Sequence, residues 1–147
     1  MVVTSLKTIF TEVLVIFNQA YLKTKNLHLI VSALTIILVG IVYGLIPNGF
    51  MENVFQFKFE KTDLPLVLRA IMGLYIAMAI FWLIGVVKSK FWVAATLSNI
   101  LFMSGLAIGR IASIILDGVP SYVFLIGLVG EILFSIWGII NLRIYKS

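Results

Sequence analysis

Four long apolar runs divide this sequence, and they constrain its fold more than any other feature. The first runs from Leu29 to Ile46 without a charged residue and ends at Pro47-Asn48-Gly49, a turn signature. Because a helix rises about 1.5 Å per residue, a run of this length nearly crosses a hydrocarbon core of about 30 Å. The other three runs cover residues 66–87, 91–116 and 121–142. The sequence therefore predicts an all-α fold, a four-helix transmembrane bundle in one domain.

The connections between the later runs are short and polar. Lys88-Ser89-Lys90 separates the second run from the third, and Asp117-Gly118-Val119-Pro120 separates the third from the fourth. Gly118 suits a helix C-terminal cap, and Pro120 suits the first turn of a new helix. Connections this short predict antiparallel neighbouring helices.

Composition agrees with a membrane environment and excludes several classes of site. Of 147 residues, 62% are hydrophobic and 12% are charged, too few charges for the shell of a soluble domain. The absence of cysteine excludes disulfides, thiol nucleophiles and thiolate metal sites. With a single histidine, we expect no metal site and no cofactor. Nucleic acid is not an expected partner, because the basic residues fall at helix ends rather than along one face.

Basic residues distribute unequally when four spans are threaded through a membrane. One side receives only Lys58 and Lys61. The other side receives seven basic residues: Lys7, Lys23, Lys25, Lys88, Lys90, Arg143 and Lys146. By the positive-inside rule, this asymmetry predicts that both termini lie in the cytoplasm.

Two segments outside the four runs have patterns of their own. Residues 1–25 place polar side chains, including Lys7 and Glu12, on one helical face and apolar side chains on the other. This pattern predicts an amphipathic helix at the membrane surface, with a protein interface or a cleaved leader as alternatives. Residues 54–60 alternate apolar and polar positions, which favours a short extended segment over a helix.

Three ionisable residues lie within the apolar runs: Arg69, Arg110 and Glu131. Such residues usually face the interior of a bundle and pair. Counting from the turn at residues 117–121 places Arg110 about 10 Å and Glu131 about 15 Å from it. Since side chains lean toward the N-terminus of their helix, the two converge from antiparallel helices. We predict an Arg110–Glu131 pair, with Arg69 reaching the headgroups or pairing with Asp117.

The third run has a polar side and a lipid-like side. Asn99, Arg110, Ser113 and Asp117 fall within about 60° on a helical projection, beside an arc of small residues (Ser98, Gly105, Gly109 and Ala112). The opposite arc holds Leu97, Ile100, Leu101, Ile108, Ile111 and Ile115. The polar side is predicted to pack inward through its small residues.

Aromatic residues and the histidine lie near the ends of the runs on the predicted cytoplasmic side. Trp82, Trp92, Trp137 and Tyr145 are typical of an interfacial aromatic belt. His28, at the start of the first run, is predicted to be an ordinary interfacial histidine.

Three motifs carry a resemblance to a known family. They are Arg69-Ala70-Ile71-Met72-Gly73-Leu74-Tyr75, then Gly109-Arg110-Ile111-Ala112-Ser113 leading to Asp117-Gly118-Val119-Pro120-Ser121, and finally Glu131. Over residues 29–142 the chain resembles a bacterial family of small four-helix membrane proteins catalogued only as a domain of unknown function. A looser, architectural likeness is to DoxX-like membrane proteins. The resemblance implies a fold, a polar cluster and a bacterial inner membrane, and no activity.

Several functions remain open for the cluster of Arg69, Asn99, Arg110, Ser113, Asp117 and Glu131. The first is purely structural, in a non-enzymatic accessory subunit that contacts membrane lipids and either a partner membrane protein or a second copy. The alternative is a binding protein or enzyme for a lipid or quinone, in which Arg110 and Arg69 engage an anionic or carbonyl group. The third is an ion or small-solute transporter.

Overall fold

The protein is a bundle of long helices. The computed structural model describes residues 2–45 and 63–146, with side chains for residues 24–45 and 65–146. Helix α1 is Val2–Leu45, α2 is Asp63–Val87, and a 3-10 turn at Ser89–Phe91 leads into α3, Trp92–Asp117; α4 is Tyr122–Tyr145. No strand occurs in these two ranges, and the predicted all-α class is confirmed. The extended segment predicted at residues 54–60 lies outside them.

Four segments are long and apolar enough to cross a membrane, one for each of the four predicted spans. Their bounds are Thr24–Leu45, Pro65–Val87, Ser89–Asp117 and Tyr122–Tyr145. The last helix continues three residues beyond the predicted end at Leu142 and carries Arg143 in its last turn. A basic side chain there interacts favourably with the exposed carbonyls of the helix end.

Helix α1 is longer than its membrane span. It runs without interruption for 44 residues, so the predicted amphipathic segment is helical and continuous with the first span. No proline or glycine precedes Gly40 in the chain, and nothing in the backbone chemistry breaks the helix between the two parts. The surface location of residues 1–25 stays a prediction, because the side chains before Thr24 lie outside the described residues.

The helices alternate in direction, so each end of the bundle collects particular residues. The end that contains the Lys88–Phe91 connection is called the Lys88 end, and the end that contains Gly118–Ser121 is called the Gly118 end. The first described span begins at the Lys88 end, where Asn141 of α4 donates a hydrogen bond to the carbonyl oxygen of Lys25. Gly118 ends α3 with φ of 98°, a backbone conformation that favours glycine.

Glycines allow close approach at three helix pairs. A Cβ at Gly40 of α1 would lie 3.2 Å from Cβ of Tyr75 on α2, and a Cβ at Gly85 of α2 would overlap Ala95 of α3. A Cβ at Gly138 of α4 would lie 2.7 Å from Cγ1 of Ile100 on α3. Small residues therefore set the spacing around the bundle, as is common in membrane helices.

The two predicted arcs of α3 have different outcomes. On the lipid-like arc, Leu97, Leu101, Ile108, Ile111 and Ile115 are exposed on the outer surface of the bundle, as predicted, while Ile100 is half-buried. The prediction for the small residues is wrong for Gly105, Gly109 and Ala112, which are also exposed. No atom of another helix lies within 4 Å of a Cβ built at Gly105 or Gly109.

The predicted aromatic belt is wrong for two of its members. Trp82 and Trp92 are buried in the core and are not on the lipid surface. Trp82 donates a hydrogen bond to Ser98 at 3.1 Å, and its ring packs against Phe102. His28 is also fully buried, so it is not an interfacial residue. The Lys88 end therefore has an aromatic core where the sequence predicted an aromatic surface.

A candidate binding cavity

A cavity of about 560 Å³ lies between α1, α3 and α4 in the Gly118 half of the bundle. Among the described side chains of α2, only Tyr75 contributes to its lining. Leu38 of α1 and Ile126 of α4 border it, and both are largely exposed on the lipid-facing surface. The cavity therefore opens sideways, between α1 and α4. The rest of its wall is mainly apolar and includes Ile36, Val39, Val42, Met103, Leu106, Val123 and Phe134.

An ion pair forms one wall of this cavity. Nε of Arg110 donates to Oε1 of Glu131 at 2.8 Å and to Oε2 at 3.0 Å. The side chains are only 22% and 10% exposed, respectively. The pair predicted from helix direction and depth is therefore present. A paired carboxylate and guanidinium avoid the large cost of a single charge within an apolar wall.

The Arg110 side chain packs against α4. Its guanidinium carbon lies 3.7 Å from the position of a Cβ built at Gly127, so it rests above a residue without a side chain. One turn earlier on α4, the ring of Phe124 lies 5.5 Å from the same carbon. A guanidinium over an aromatic face gains a cation–π attraction. Glycine and phenylalanine on one helix thus hold Arg110 at the cavity wall.

Two tyrosines complete the polar part of the cavity. Tyr43 of α1 interacts with the Arg110 guanidinium, and its ring lies 6.1 Å from the ring of Tyr75. Tyr75 is itself buried and contacts Phe102 edge-on at 5.2 Å. Because Glu131 is bonded through Nε, the terminal nitrogens of Arg110 have no carboxylate partner among the described residues. The site thus offers guanidinium and phenol donors beside a large apolar wall.

Comparison with known sequences places the chain in a family. The sequence pattern of a family described as a domain of unknown function (DUF4345) matches residues 24–142. The chain belongs to this family. Searches of curated proteins and of solved structures returned no match. The matched range contains the first three spans, most of the fourth and the cavity, and it leaves the first 23 residues of this DUF4345 chain outside.

The family match confirms the main resemblance seen in the sequence, and it carries no activity. The bacterial origin and the additional likeness to DoxX-like proteins stay predictions. Arg69 and Tyr75 belong to the Arg-x-x-x-Gly-x-Tyr motif that contributed to the resemblance. Only Tyr75 reaches the cavity.

The remaining residues of the predicted cluster are distributed over three places. Arg69 is exposed, and no described residue accepts a hydrogen bond from it or pairs with it. The Arg69–Asp117 pair, one of two predictions for Arg69, is therefore not formed. Ser113 instead donates to Oδ2 of Asp117 at 2.8 Å on the exposed surface of α3. A hydroxyl one turn away on the same helix is a nearer partner than a guanidinium on another helix.

Asn99 lies apart from the ion pair. It is eleven residues before Arg110 on α3, which corresponds to about 16 Å along the helix axis. Its side chain is fully buried beside Gly138 at the Lys88 end. The helical projection correctly placed Asn99 and Arg110 on one face of α3. A projection along the helix axis does not, however, show how far apart two residues lie along that axis. Of the six predicted residues, only Arg110 and Glu131 form the cavity site.

Tyr43, Tyr75 and Phe124 were missed as site residues in the sequence. Signals existed for the two tyrosines, because Tyr43 adjoins the small residues of the first span and Tyr75 ends a family motif. Phe124 lies in an ordinary apolar run, and no pattern in the sequence distinguishes it. Among the described residues, no three His, Asp or Glu side chains form a metal-binding group.

Proposed function

We propose that this chain is a non-enzymatic binding protein for a lipophilic molecule, held in the cavity with a carbonyl oxygen against Arg110. The observation that carries the proposal is the combination of a lateral opening with donors at one point of an apolar wall. A volume of about 560 Å³ is within the ordinary range of small-molecule sites. A ligand dissolved in the bilayer can enter between α1 and α4 without crossing water.

The ion pair favours a neutral acceptor over an anion. Glu131 already neutralises the guanidinium at 2.8 Å, so a second anion would approach a carboxylate as well as a cation. A carbonyl oxygen accepts a hydrogen bond from a terminal guanidinium nitrogen or a tyrosine hydroxyl and leaves the Glu131 pair in place. Quinones and ester-linked lipids both present such an oxygen on an apolar body. Glu131 then orients Arg110 and transfers no proton.

Occlusion of the cavity tests this proposal directly. No atom lies within 4 Å of a Cβ built at Gly130, a cavity-lining glycine, so Gly130→Phe adds a ring to the cavity without overlapping its wall at the first carbon. Gly105→Phe is the matched control, because Gly105 is an exposed glycine of α3 with equally open surroundings. Each variant is extracted from its native membrane in mild detergent, and bound lipophiles are identified by mass spectrometry.

The expected result is a specific carbonyl-bearing lipophile with wild type and Gly105→Phe, and its loss with Gly130→Phe and Arg110→Met. A short-chain benzoquinone and a diacyl phospholipid are then titrated separately, with intrinsic fluorescence as the readout. Saturable binding of the quinone alone or of the phospholipid alone identifies the source of the carbonyl. The same bulk lipids in all four proteins, and no saturable binding of either probe, would contradict the proposal.

A second candidate is an accessory subunit that binds a partner membrane protein or a second copy of itself. It is supported by the length of α1, which begins at Val2 and so extends well before the span and before the family match at residue 24. Deletion of residues 2–20 would release a partner that co-purifies with the full chain. If native electrophoresis shows one unchanged species for both proteins, this candidate fails while the cavity proposal stands.

The membrane orientation is part of the proposal: both termini in the cytoplasm of a bacterium, with the Gly118 end toward the outside of the inner membrane. The excess of basic residues at the Lys88 end and the termini supports it. Because the chain has no cysteine, Lys146→Cys and Val119→Cys each introduce a single thiol. A membrane-impermeant maleimide added to intact cells or spheroplasts should label only Val119→Cys. Labelling of Lys146→Cys alone would reverse the orientation.

A further inference from the structure

A second group of polar side chains is buried at the Lys88 end, away from the cavity. Nδ2 of Asn141 lies 2.8 Å from Nδ1 of His28 and also donates to the carbonyl oxygen of Lys25 at 3.3 Å. His28 is fully buried and Asn141 is 4% exposed. Nδ1 of the imidazole therefore faces Asn141, and Nε2 is the ring nitrogen without a hydrogen-bond partner among the described residues.

Six side-chain atoms in this region have no hydrogen-bond partner among the described residues. They are Nε2 of His28, Oγ of Ser32, Nε1 of Trp92, Oγ1 of Thr96, and Oδ1 and Nδ2 of Asn99. Each buried polar group left without a partner costs about 1–3 kcal/mol. Six such costs together are comparable to the whole stability of a typical domain, about 5–15 kcal/mol. The combined cost favours a further hydrogen-bonding partner for these atoms.

Placement on the helices brings these atoms together. His28 and Ser32 are one turn apart on α1, and Trp92, Thr96 and Asn99 occupy successive turns of one buried face of α3. The rings of His28 and Trp92 lie 6.3 Å apart and join the two faces. Gly138 of α4 closes the third side next to Asn99. The buried faces of α1 and α3 that carry these side chains therefore meet at His28 and Trp92, with α4 beside Asn99.

The hydroxyl groups of Ser32 and Thr96 make no hydrogen bond to their own backbone. Thr35 and Ser104 each donate to the carbonyl oxygen four residues earlier, at 2.9 and 2.7 Å. Ser32 and Thr96, on the same two helices, make no such bond. Their polar atoms are available to an internal partner.

We propose that this region is an internal binding site for water, with a small group of waters bound by His28, Ser32, Trp92, Thr96 and Asn99. The available atoms include donors and acceptors, and none of the five side chains is a carboxylate or a lysine or arginine cation. This mixture suits a neutral molecule that both donates and accepts. Internal waters typically make about three hydrogen bonds each, so two or three waters satisfy the six atoms. The site is independent of the lipophile cavity.

Solid-state NMR of the full chain in proteoliposomes tests the proposal, because His28 is the only histidine of the sequence. With 15N in histidine and tryptophan side chains, magnetisation is transferred from water to each nitrogen. Transfer to Nε2 of His28 and Nε1 of Trp92 should be fast. Transfer to Nε1 of Trp82 should be slow, because that equally buried nitrogen is already bonded to Ser98.

The double variant Thr96→Val with Asn99→Leu should slow transfer to His28 and Trp92 several-fold, since it removes partners of the waters. Ser104→Ala is the control and should leave both rates unchanged, because Ser104 already bonds to Ile100 and Ser135. Transfer to His28 and Trp92 as slow as that to Trp82 in the wild-type chain would overturn the proposal. Fast transfer that is unchanged in the double variant would also overturn it, because the water would then come from the membrane surface.

Discussion

The two ends of the bundle solve the problem of polar groups in a membrane in opposite ways. At the Gly118 end, two opposite charges pair across α3 and α4, and an apolar cavity opens beside them toward lipid. At the Lys88 end, the described buried polar side chains include no carboxylate, lysine or arginine, and α1 is tied to α4 through His28 and Asn141. At the Lys88 end, which we call the closed end, a hydrogen bond joins α1 to α4. At the Gly118 end, which we call the open end, α1 and α4 are separated by the cavity.

The comparison suggests how the open end stays open. The Arg110–Glu131 pair holds α3 to α4, and α1 contributes Tyr43 to it but no charged side chain. Gly127 and Gly130 of α4 line the cavity and leave unoccupied the volume that side chains would fill. The polar contact between α1 and α4 therefore lies at the Lys88 end, between His28 and Asn141.

Loss of one partner of the charged pair should give the largest effect. Arg110→Met and Glu131→Gln should each lower the free energy of unfolding by about 3 kcal/mol, at the low end for buried pairs because the pair is partly accessible. The double variant should lose less than the sum, because it leaves no charged group without its partner. Unfolding by added SDS in mixed micelles measures all three proteins. Additive losses would show that the two side chains do not stabilise each other, and the open end would then need another explanation.

The contact between α2 and α3 at Gly85 should be less tolerant of added volume than the cavity at Gly130. Gly85→Ala should cost about 2 kcal/mol, because its Cβ would overlap Ala95 and two helices must separate. Gly130→Ala, at the cavity, should change stability by less than about 0.5 kcal/mol because its Cβ meets no neighbour. The same SDS titration compares them. Equal effects of the two alanines would remove the packing difference between the two positions.

The sequence predicted the helices and the charged pair because both depend on local rules. Apolar length set the spans, and the direction of side chains on antiparallel helices was enough to bring Arg110 to Glu131. Depth and face were both needed for that prediction. Where only the face was used, as for Asn99, the residue was assigned to the wrong cluster.

The cavity and the buried aromatic core could not be predicted from these rules. A cavity depends on the separation of α1 from α4, which no residue pattern encodes by itself. Trp82 and Trp92 resemble belt residues because they are near helix ends, and only packing shows that they point inward. Gly105 is likewise a small residue of the kind found at helix–helix interfaces, but it lies on the surface of the bundle. Neighbours from other helices decide such cases.

A serine at the closed end should matter moderately. Ser98 accepts a hydrogen bond from Nε1 of Trp82 at 3.1 Å and donates to the carbonyl oxygen of Ala95 at 2.9 Å. Ser98→Ala leaves the buried indole N–H without its partner, which should cost about 1–2 kcal/mol. The indole 15N signal of Trp82 should shift at the same time. An unchanged signal and unchanged stability would mean that the indole N–H of Trp82 finds another hydrogen-bond partner, so that the packing of this core does not depend on Ser98.

A serine at the open end should matter least. Ser113 donates to Asp117 at 2.8 Å, a bond as short as those of the charged pair, but both residues are exposed. Polar groups with access to water or lipid headgroups can replace a lost partner, so Ser113→Ala should change stability by less than about 0.5 kcal/mol. A loss of stability as large as that of Ser98→Ala would mean that Ser113 and Asp117 are buried beneath another molecule, where Asp117 has no replacement partner. The outer surface of the Gly118 end would then be an interface, and the distinction between the two ends would apply only to the isolated chain.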